Sequence, residues 1–392
     1  TGRHESWRYT SLEPLRTLNL TSSVDLTEAL LERARKLLKT LPELGPRVVL
    51  MNGFYAPELS SALATLGNLS LTPLVAGAPM TLPQGFAEVA PFAERSFTAL
   101  NLGRFDQGVW IDAKPGDASI LEVIQLTVAS DTSVTAPRLF VNLQEGSALT
   151  LVETHLADVP SLCLANGVTE VVVHPRARFI HSRRLCGHAH LHLLNQTAVR
   201  LHREATLTSH LLATDGALNR DELHVTLAGP GAHVTALGLA LGLGQAHLDQ
   251  QSVFHHTAPH TTSEQLYKGI YADTASGVFS GKVIVAQEAQ KTDAKQNNRN
   301  LLLNPQATAY TRPQLEIYAD DVKCAHGATV GQLDPLQLFY LRSRGFNPDQ
   351  ARALLTQAFA VDVLQRITTP SLLSHWQTDV DRWLGTATGD NR

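Results

Sequence analysis

Between Gly108 and Gly331 the chain is a succession of short apolar runs, among them VWID, ILEVIQLTV, RLFVNL, ALTLVET, VTEVVV, LHVTL, HVTALGLAL, GVFSGKVIV and LEIYA, broken by EGS, ANG, TDG, GPG and NPQ. Runs of high β-propensity bounded by turn formers read as strands, and almost no 3.6-residue periodicity interrupts them. More than ten strands joined by brief turns leave two architectures, a coiled solenoid such as a parallel β-helix or a large sandwich. The turns recur at uneven intervals, so periodicity alone leaves both open. The fold class is mainly β in either case.

The flanks read differently. In residues 1–107 a helix is expected over Asp25–Leu41, with Asp25 and Glu28 as a capping box. A second is expected through PELSSALATL, closed by Gly67, and a third over Gln84–Leu102, kinked near Pro91. Beyond Gly331, Asp334-Pro335, Asn347-Pro348 and Thr369-Pro370 each pair an N-cap with a first-turn proline, and Gly345 closes the first of these helices. Their apolar faces include Leu336, Phe339, Leu354, Trp376 and Trp383. The chain thus divides into an N-terminal helical region 1–107, a β core 108–331 and a C-terminal helical domain 332–392.

Composition removes several function classes. Of 392 residues 43% are hydrophobic, enough for a large core, and a net charge of -4 gives no basic surface for nucleic acid or an anionic membrane. No run of about 18 uncharged apolar residues occurs, and the opening TGRHESWRYTSLEPLRTLNL has no apolar signal-peptide centre. Three cysteines, Cys163, Cys186 and Cys324, make no disulfide framework, which fits a reducing compartment, cytosolic or organellar.

Four stretches invite a chemical reading. GLALGLGQA, Gly238 to Ala246, lacks the lysine and hydroxyl of a phosphate loop and reads as strand and turn; no GxxxxGK[ST] occurs, so no ATP is expected to bind this chain. GHAHLHLL would set His188, His190 and His192 on one strand face, a metal ladder without an acidic companion before Glu204 and so more simply a polar face in water. HHTAPH, His255 to His260 with Glu264 and Lys268 nearby, reads as polar packing at a strand end rather than as zinc ligands. In DDVKCAHGATVGQLD, Cys324 and His326 are two apart, so a strand aims both to one face; thiolate and imidazole suit iron and other borderline metals, although two ligands do not close a site. A buried cysteine beside an ordinary histidine is the plain alternative.

AQKTDAKQNNRNLLL, PQLEIYADDVKCAHGATVGQLD and QLFYLRSRG, with the early SWRYTSLEPL, resemble the SufB/SufD family of iron-sulfur assembly scaffolds, the SufD branch more closely. The cysteines of the SufB branch are missing, the first here being Cys163, and Asn304-Pro305 departs from a serine frequent in SufD relatives. The resemblance implies a right-handed parallel β-helix between helical regions and a scaffold rather than an enzyme. It implies a SufB partner paired through the β-helix cores and SufC-type ATPases bound through the C-terminal helices, in a SufB-SufC2-SufD complex, or a homodimer when isolated. It further implies a transient iron-sulfur cluster shared with SufB, with His326 as a half-site ligand and Cys324 as a possible second, in a bacterial cytoplasm or a plastid stroma. Two other readings are a β-helix carbohydrate-active enzyme using Asp320 and Asp321, whose adjacent carboxylates would point to opposite strand faces, and a histidine-metal oxygenase built on the ladder.

Overall fold

A residue in the left-handed region followed by a small buried one turns the chain at Gly146-Ser147, Arg176-Ala177, Glu204-Ala205, Gly231-Ala232, His260-Thr261 and Lys291-Thr292, with φ between 56 and 73° at the first member. The second member closes the corner by a bond to the residue three back. Ser147, Ala177, Ala205 and Ala232 donate through their amides, and the Thr261 and Thr292 hydroxyls donate to the Ala258 and Ala289 carbonyls. A larger side chain would not fit where these residues sit, against the interior. Each corner launches a strand that lies directly over the one launched by the corner before it.

The result, in a computed structural model describing residues 5–18, 27–62, 66–77, 82–90, 92–93 and 95–387, is a parallel β-solenoid of about eight turns. It decides the choice between solenoid and sandwich. One sheet runs through Phe54–Tyr55, Arg47–Met51, Ser119–Val128, Ala148–Asp158, Arg178–Cys186, Thr206–Thr214, His233–Gly242, Thr262–Tyr271, Asp293–Leu302 and Lys323–Gly331. The other runs through Leu69–Val75, Gln107–Ala113, Arg138–Leu143, Cys163–Val173, Leu191–Leu201, Leu218–Leu227, His247–His256, Ser276–Val285 and Thr308–Ile317. Neighbours are parallel except the first pair of each sheet. Thr206, His233, Thr262, Asp293 and Lys323 stack in register, so successive turns take 27, 29, 31 and 30 residues. ANG at 165–167, expected as a turn, continues the strand Cys163–Val173: the Asn166 amide donates to the Phe97 carbonyl, and its own carbonyl accepts from Asn101.

The lumen is apolar for much of its length, with Leu149, Phe179, Leu207 and Val234 stacked along the first sheet and Phe254 of the second in the same cluster. Gly238 and Gly277 admit the rings of Tyr267 and Tyr271, since a Cβ there would stand 2.3 and 1.9 Å from ring atoms. Outside, both sheets are covered. Helix α1 (Glu28–Leu38) lays Leu30 and Ala34 on Val49, Ile124 and Leu126. Helix α2 (Ser96–Arg104) and the segment before it cover the other sheet, where Glu170 accepts from the Ala87 and Ala90 amides and pairs with the buried Arg138. The first residues form a strap on that same sheet. Trp7 lies 3.8 Å over the Arg220 guanidinium, the Thr10 hydroxyl donates to Asp249, and Tyr9 stacks on Tyr310 at 4.4 Å.

The N-terminal expectations need correction. Thr27, not Asp25, caps α1, its hydroxyl accepting from the Leu30 amide; Asp25 lies outside the described residues, as does Pro91. Among its described residues PELSSALATL gives only a 3-10 turn, Pro57–Leu59, because the Ser60 hydroxyl accepts from Val49 and donates to Ala56 while the Ser61 hydroxyl accepts from Arg47. Serine side chains here compete with helix for the backbone and win. Of the described residues in Gln84–Leu102 only those from Ser96 on are helical, those before being turns, bends and irregular chain. Strands Arg47–Met51 and Leu69–Val75 also lie in this stretch, which was expected to be helical.

The C-terminal helices start where their caps place them: α3 at Pro335 (to Ser343), α4 at Pro348 (to Leu364) and α5 at Pro370 (to Ala387). Helices α4 and α5 share one core with the first sheet, Trp376, Val380, Trp383 and Leu384 meeting Leu212, Leu237, Leu239 and Leu241. Arg184 to Asp379 at 2.6 Å and Lys268 to Asp362 at 2.8 Å fasten the contact. Leu336 and Phe339, expected on a packed face, are instead 77% and 70% exposed on α3, which buries nothing. No helix among the described residues is long and apolar enough to cross a membrane.

Candidate functional site

Strand Lys323–Gly331 is the last of the first sheet, and Thr308–Ile317 the last of the second, so the solenoid ends in two unpaired edges side by side. Register dictates where Cys324 and His326 point. Cys324 stacks on Ala294, Ser263, Val234, Leu207 and Phe179, and His326 on Gln296, Gln265, Ala236, Ser209 and His181, all of them buried on the lumen side. Alternation along the strand therefore carries both ligand-type side chains to the lumen face at its open end.

The two differ in setting. Cys324 is half-buried and packs on the cluster of Val283, Val285, Ala289 and Ala294. Burial pushes its thiol up, an effect the hydrogen bond with the Ala294 backbone opposes and the charge of Asp293 reinforces. A metal taking this sulfur must displace a firmly held proton. His326 is exposed, and its ring makes no hydrogen bond to any described residue. Among the described residues no three His, Cys, Asp or Glu side chains gather as a metal site. What this edge offers is an accessible imidazole and a shielded thiol on one face.

The other sequence candidates do not converge here. The histidine ladder does not exist as such: the chain turns at 187–190, so His188 and His190 sit in the turn with rings 5.8 Å apart, and only His192 lies in a strand. Close packing demands glycine at the start of this turn, a Cβ on Gly187 standing 2.1 Å from the Asp215 carbonyl. His192 is buried rather than facing water, and burial depresses its pKa. Asp320 and Asp321 lie in a bend, not on a strand, and Asp321 pairs with Lys291. His256 bonds Thr261 and Ser263 inside the lumen, and His260 occupies a corner, which is polar packing. Glu264 and Lys268 face the C-terminal helices, pairing with Arg366 and Asp362. Gly238 to Ala246 is strand and turn, as expected.

A set of polar groups inside the lumen escaped the sequence reading. Glu153 accepts from His155 at 2.7 Å, His181 at 2.9 Å and Gln125 at 2.7 Å, and Arg183 pairs with Asp221 at 2.9 Å. Burial would raise the Glu153 carboxyl, but the hydrogen bonds and charges of the two histidines reverse this and hold it below the usual carboxylate range. The only signal was a charged residue at an inward position of an apolar alternation, as Glu153 is in ALTLVET.

Comparison with known proteins places this geometry. Residues 126–359 match the family described as SUF system FeS cluster assembly, SufBD core domain. The chain is 33% identical over 387 residues to an iron-sulfur cluster assembly SufBD family protein of Synechocystis, covering 94% of this chain and 84% of that one. It is 30% identical over 369 residues to the iron-sulfur cluster assembly protein SufD of Escherichia coli, covering 94% and 85%. With the chloroplastic protein ABCI7 of Arabidopsis thaliana it shares 35% over 238 residues, 59% of this chain and 50% of that protein. A solenoid of this topology, matched through its core and aligned with these relatives over most of its length, belongs to the SufBD family of iron-sulfur cluster assembly proteins and is SufD-like within it.

Proposed function

We propose that the chain is a scaffold subunit, not an enzyme, of iron-sulfur cluster assembly. Its open solenoid end pairs with a SufB-type partner, its C-terminal helices receive a SufC-type ATPase, and His326 holds the nascent cluster as one half of a site that the partner completes. The observation carrying this reading is the placement of His326, with Cys324, on the lumen side of an unpaired terminal strand.

Unpaired N–H and C=O rows are a template for another chain, and Tyr310, Ile317, Tyr318 and Val330 add exposed apolar surface to these two edges. A second solenoid docking there continues both sheets across the junction; a second copy of this chain fits the same edges when no partner is present. Imidazole and thiol are ligands that iron accepts. Two of them leave coordination positions for the partner and for sulfide, and a cluster held this way is cargo that can be passed on. Cys324 is the weaker ligand, since its proton has to be displaced first.

Residues 332–392 serve as the ATPase-docking unit, 108–331 as the pairing core and 1–107 as its cover. ATP is bound by the docked subunit, because this chain has no phosphate loop. The bacterial and chloroplastic relatives support a bacterial cytoplasm or a plastid stroma as the place of work.

The test is reconstitution with SufB- and SufC-type partners, reading iron and acid-labile sulfide per complex. His326→Ala is expected to assemble normally and to lose roughly nine-tenths of its loading, whereas His190→Ala, in the 187–190 turn, loads like the parent. Normal loading of the His326 variant sinks the assignment.

A further inference from the structure

Gln296 lies directly beneath His326 in the stack. They are register partners on neighbouring parallel strands, so both side chains leave the sheet on the lumen face from backbones about 4.8 Å apart. Gln296 is 3% exposed. Its Nε2 donates to Gln265 Oε1 at 3.3 Å, and the Ser252 hydroxyl donates to that same oxygen at 2.7 Å. Across the lumen Gly281 leaves the space the amide fills, for a Cβ there would stand 2.2 Å from Gln296 Nε2. The side chain is thus held at its nitrogen end by two rungs of polar partners and a cleared wall. Its Oε1, by contrast, is buried and has no partner.

An unpartnered buried carbonyl oxygen is costly, and folds retain few of them. A donor is available one rung up. A neutral imidazole carries one N–H and one lone pair, and the acceptor that takes the N–H decides which ring nitrogen presents the lone pair. With Gln265 Oε1 accepting from the Ser252 hydroxyl and from Gln296 Nε2, the atom that Gln296 has left to offer is an acceptor, not a donor.

We propose that Gln296 is a positioning residue for His326: the ring, unbonded in this structure, turns inward on its strand so that the unpartnered Oε1 beneath it accepts the imidazole N–H and fixes the tautomer, leaving the other ring nitrogen bare at the open edge for a metal. The proposal rests on the reading of His326 as a cluster ligand and adds to it the group that orients that ligand from below. It also gives a role to the polar rungs Gln265 and Ser252, which hold Gln296 without reaching the edge themselves.

The test uses the full chain labelled with 15N-histidine, the His326 signals being assigned with His326→Ala. In the parent, the two ring nitrogens are expected to resonate far apart, one as N–H and one as a bare lone pair. Gln296→Met keeps the length and removes the acceptor, and its His326 shifts are expected to move together toward the averaged values of free histidine. Gln296→Glu keeps an acceptor toward His326, its second oxygen being met by the Gln265 Nε2, which has no partner at present and is brought round when that amide turns over, and it retains the split. In the reconstituted complex Gln296→Met lowers iron loading roughly tenfold and Gln296→Glu restores most of it. Averaged shifts already present in the parent, or a split untouched in the Met variant, overturn the positioning role. That readout needs no cluster, so its failure leaves the His326→Ala loading test standing. Normal loading of His326→Ala beside a Gln296-dependent split removes the functional reading and keeps the hydrogen bond.

Discussion

Replacing Leu336 and Phe339 of α3 by aspartate is expected to abolish the proposed capture of a SufC-type ATPase, with affinity falling by roughly 100-fold or more, while the stability of the chain hardly moves. Both side chains stand in water, 77% and 70% exposed, on a helix that contributes nothing to the core. Its position is nonetheless fixed: the Asp334 carboxylate accepts from the Leu336 amide at 2.8 Å, and Gly345 ends it with φ 97°. A rigid helix that displays leucine, phenylalanine and, in Tyr340, a further ring, 57% exposed, is costly to hydrate and profitable to cover. Central apolar anchors of an interface cost about 2 kcal/mol or more each when lost, and surface changes elsewhere stay within about 0.5 kcal/mol of parental stability. Titration calorimetry of the double variant against the ATPase measures the first quantity and a urea melt the second. Undiminished affinity puts the docking face elsewhere. Aspartate at Trp376, 1% exposed in the core shared by α5 and the sheet, is expected to do the reverse and unfold the chain. That shared core is also why point changes on α3 are a cleaner probe than removing the helices.

The second large effect is a loss of stability between pH 6.5 and 4. Burial depresses the His256 pKa to about 4, with the charge of His255 adding to it, and burial likewise takes His210 to about 4, with Arg183 and His181 adding. The His256 ring is paired at both nitrogens, by Thr261 and Ser263, whereas His210 is paired with Ser182 at Nδ1 and its buried Nε2 has no partner, so neither site offers an acceptor for a second proton other than these hydroxyls. An unfolded chain takes up these protons near 6.5 and the folded one only near 4, so in the interval the unfolded state holds more protons. Stability is therefore complete above pH 6.5 and falls as pH drops towards 4. The difference amounts to about 3 kcal/mol for each histidine. Urea unfolding at half-unit steps from pH 7 to 4 gives the slope, and His256→Gln is expected to flatten it by about one proton. A slope unchanged in that variant means that the acid lability lies in other groups.

What could be read from the sequence was what is decided locally. The starts of α3, α4 and α5 fall on the residues their N-caps and prolines indicate, because capping involves only the first turn. The resemblance of the Gln265 to Phe346 segment led to the fold and to the edge residues, and the period of two put Cys324 and His326 on one face. The solenoid itself stayed hidden in the periodicity because its corner needs only one left-handed residue and one small one. Of the six left-handed positions two are glycine, the others being Arg176, Glu204, His260 and Lys291. Spacings of 30, 28, 27, 29 and 31 residues between corners blur what remains. Long-range partners account for the other misses. Nothing near Ser60 in sequence shows that the Val49 amide will donate to its hydroxyl, nothing near Gly187 that the Asp215 carbonyl will press against it, and nothing near Glu153 that His181 waits in the next coil.

Each coil pairs only with the coil before and the coil after it, and this bears on how the chain comes off the ribosome. Every strand from Ala148 onward finds its template already made, one turn of about 30 residues earlier, so folding can advance at the pace of synthesis without waiting for distant sequence. The two terminal edges and the exposed α3 are translated after the whole stack beneath them, with α4 and α5 still to follow. Through most of its synthesis the growing end is therefore an edge that the chain's own next coil covers, and only the final pair of edges is left for a partner, with an already folded stack behind it.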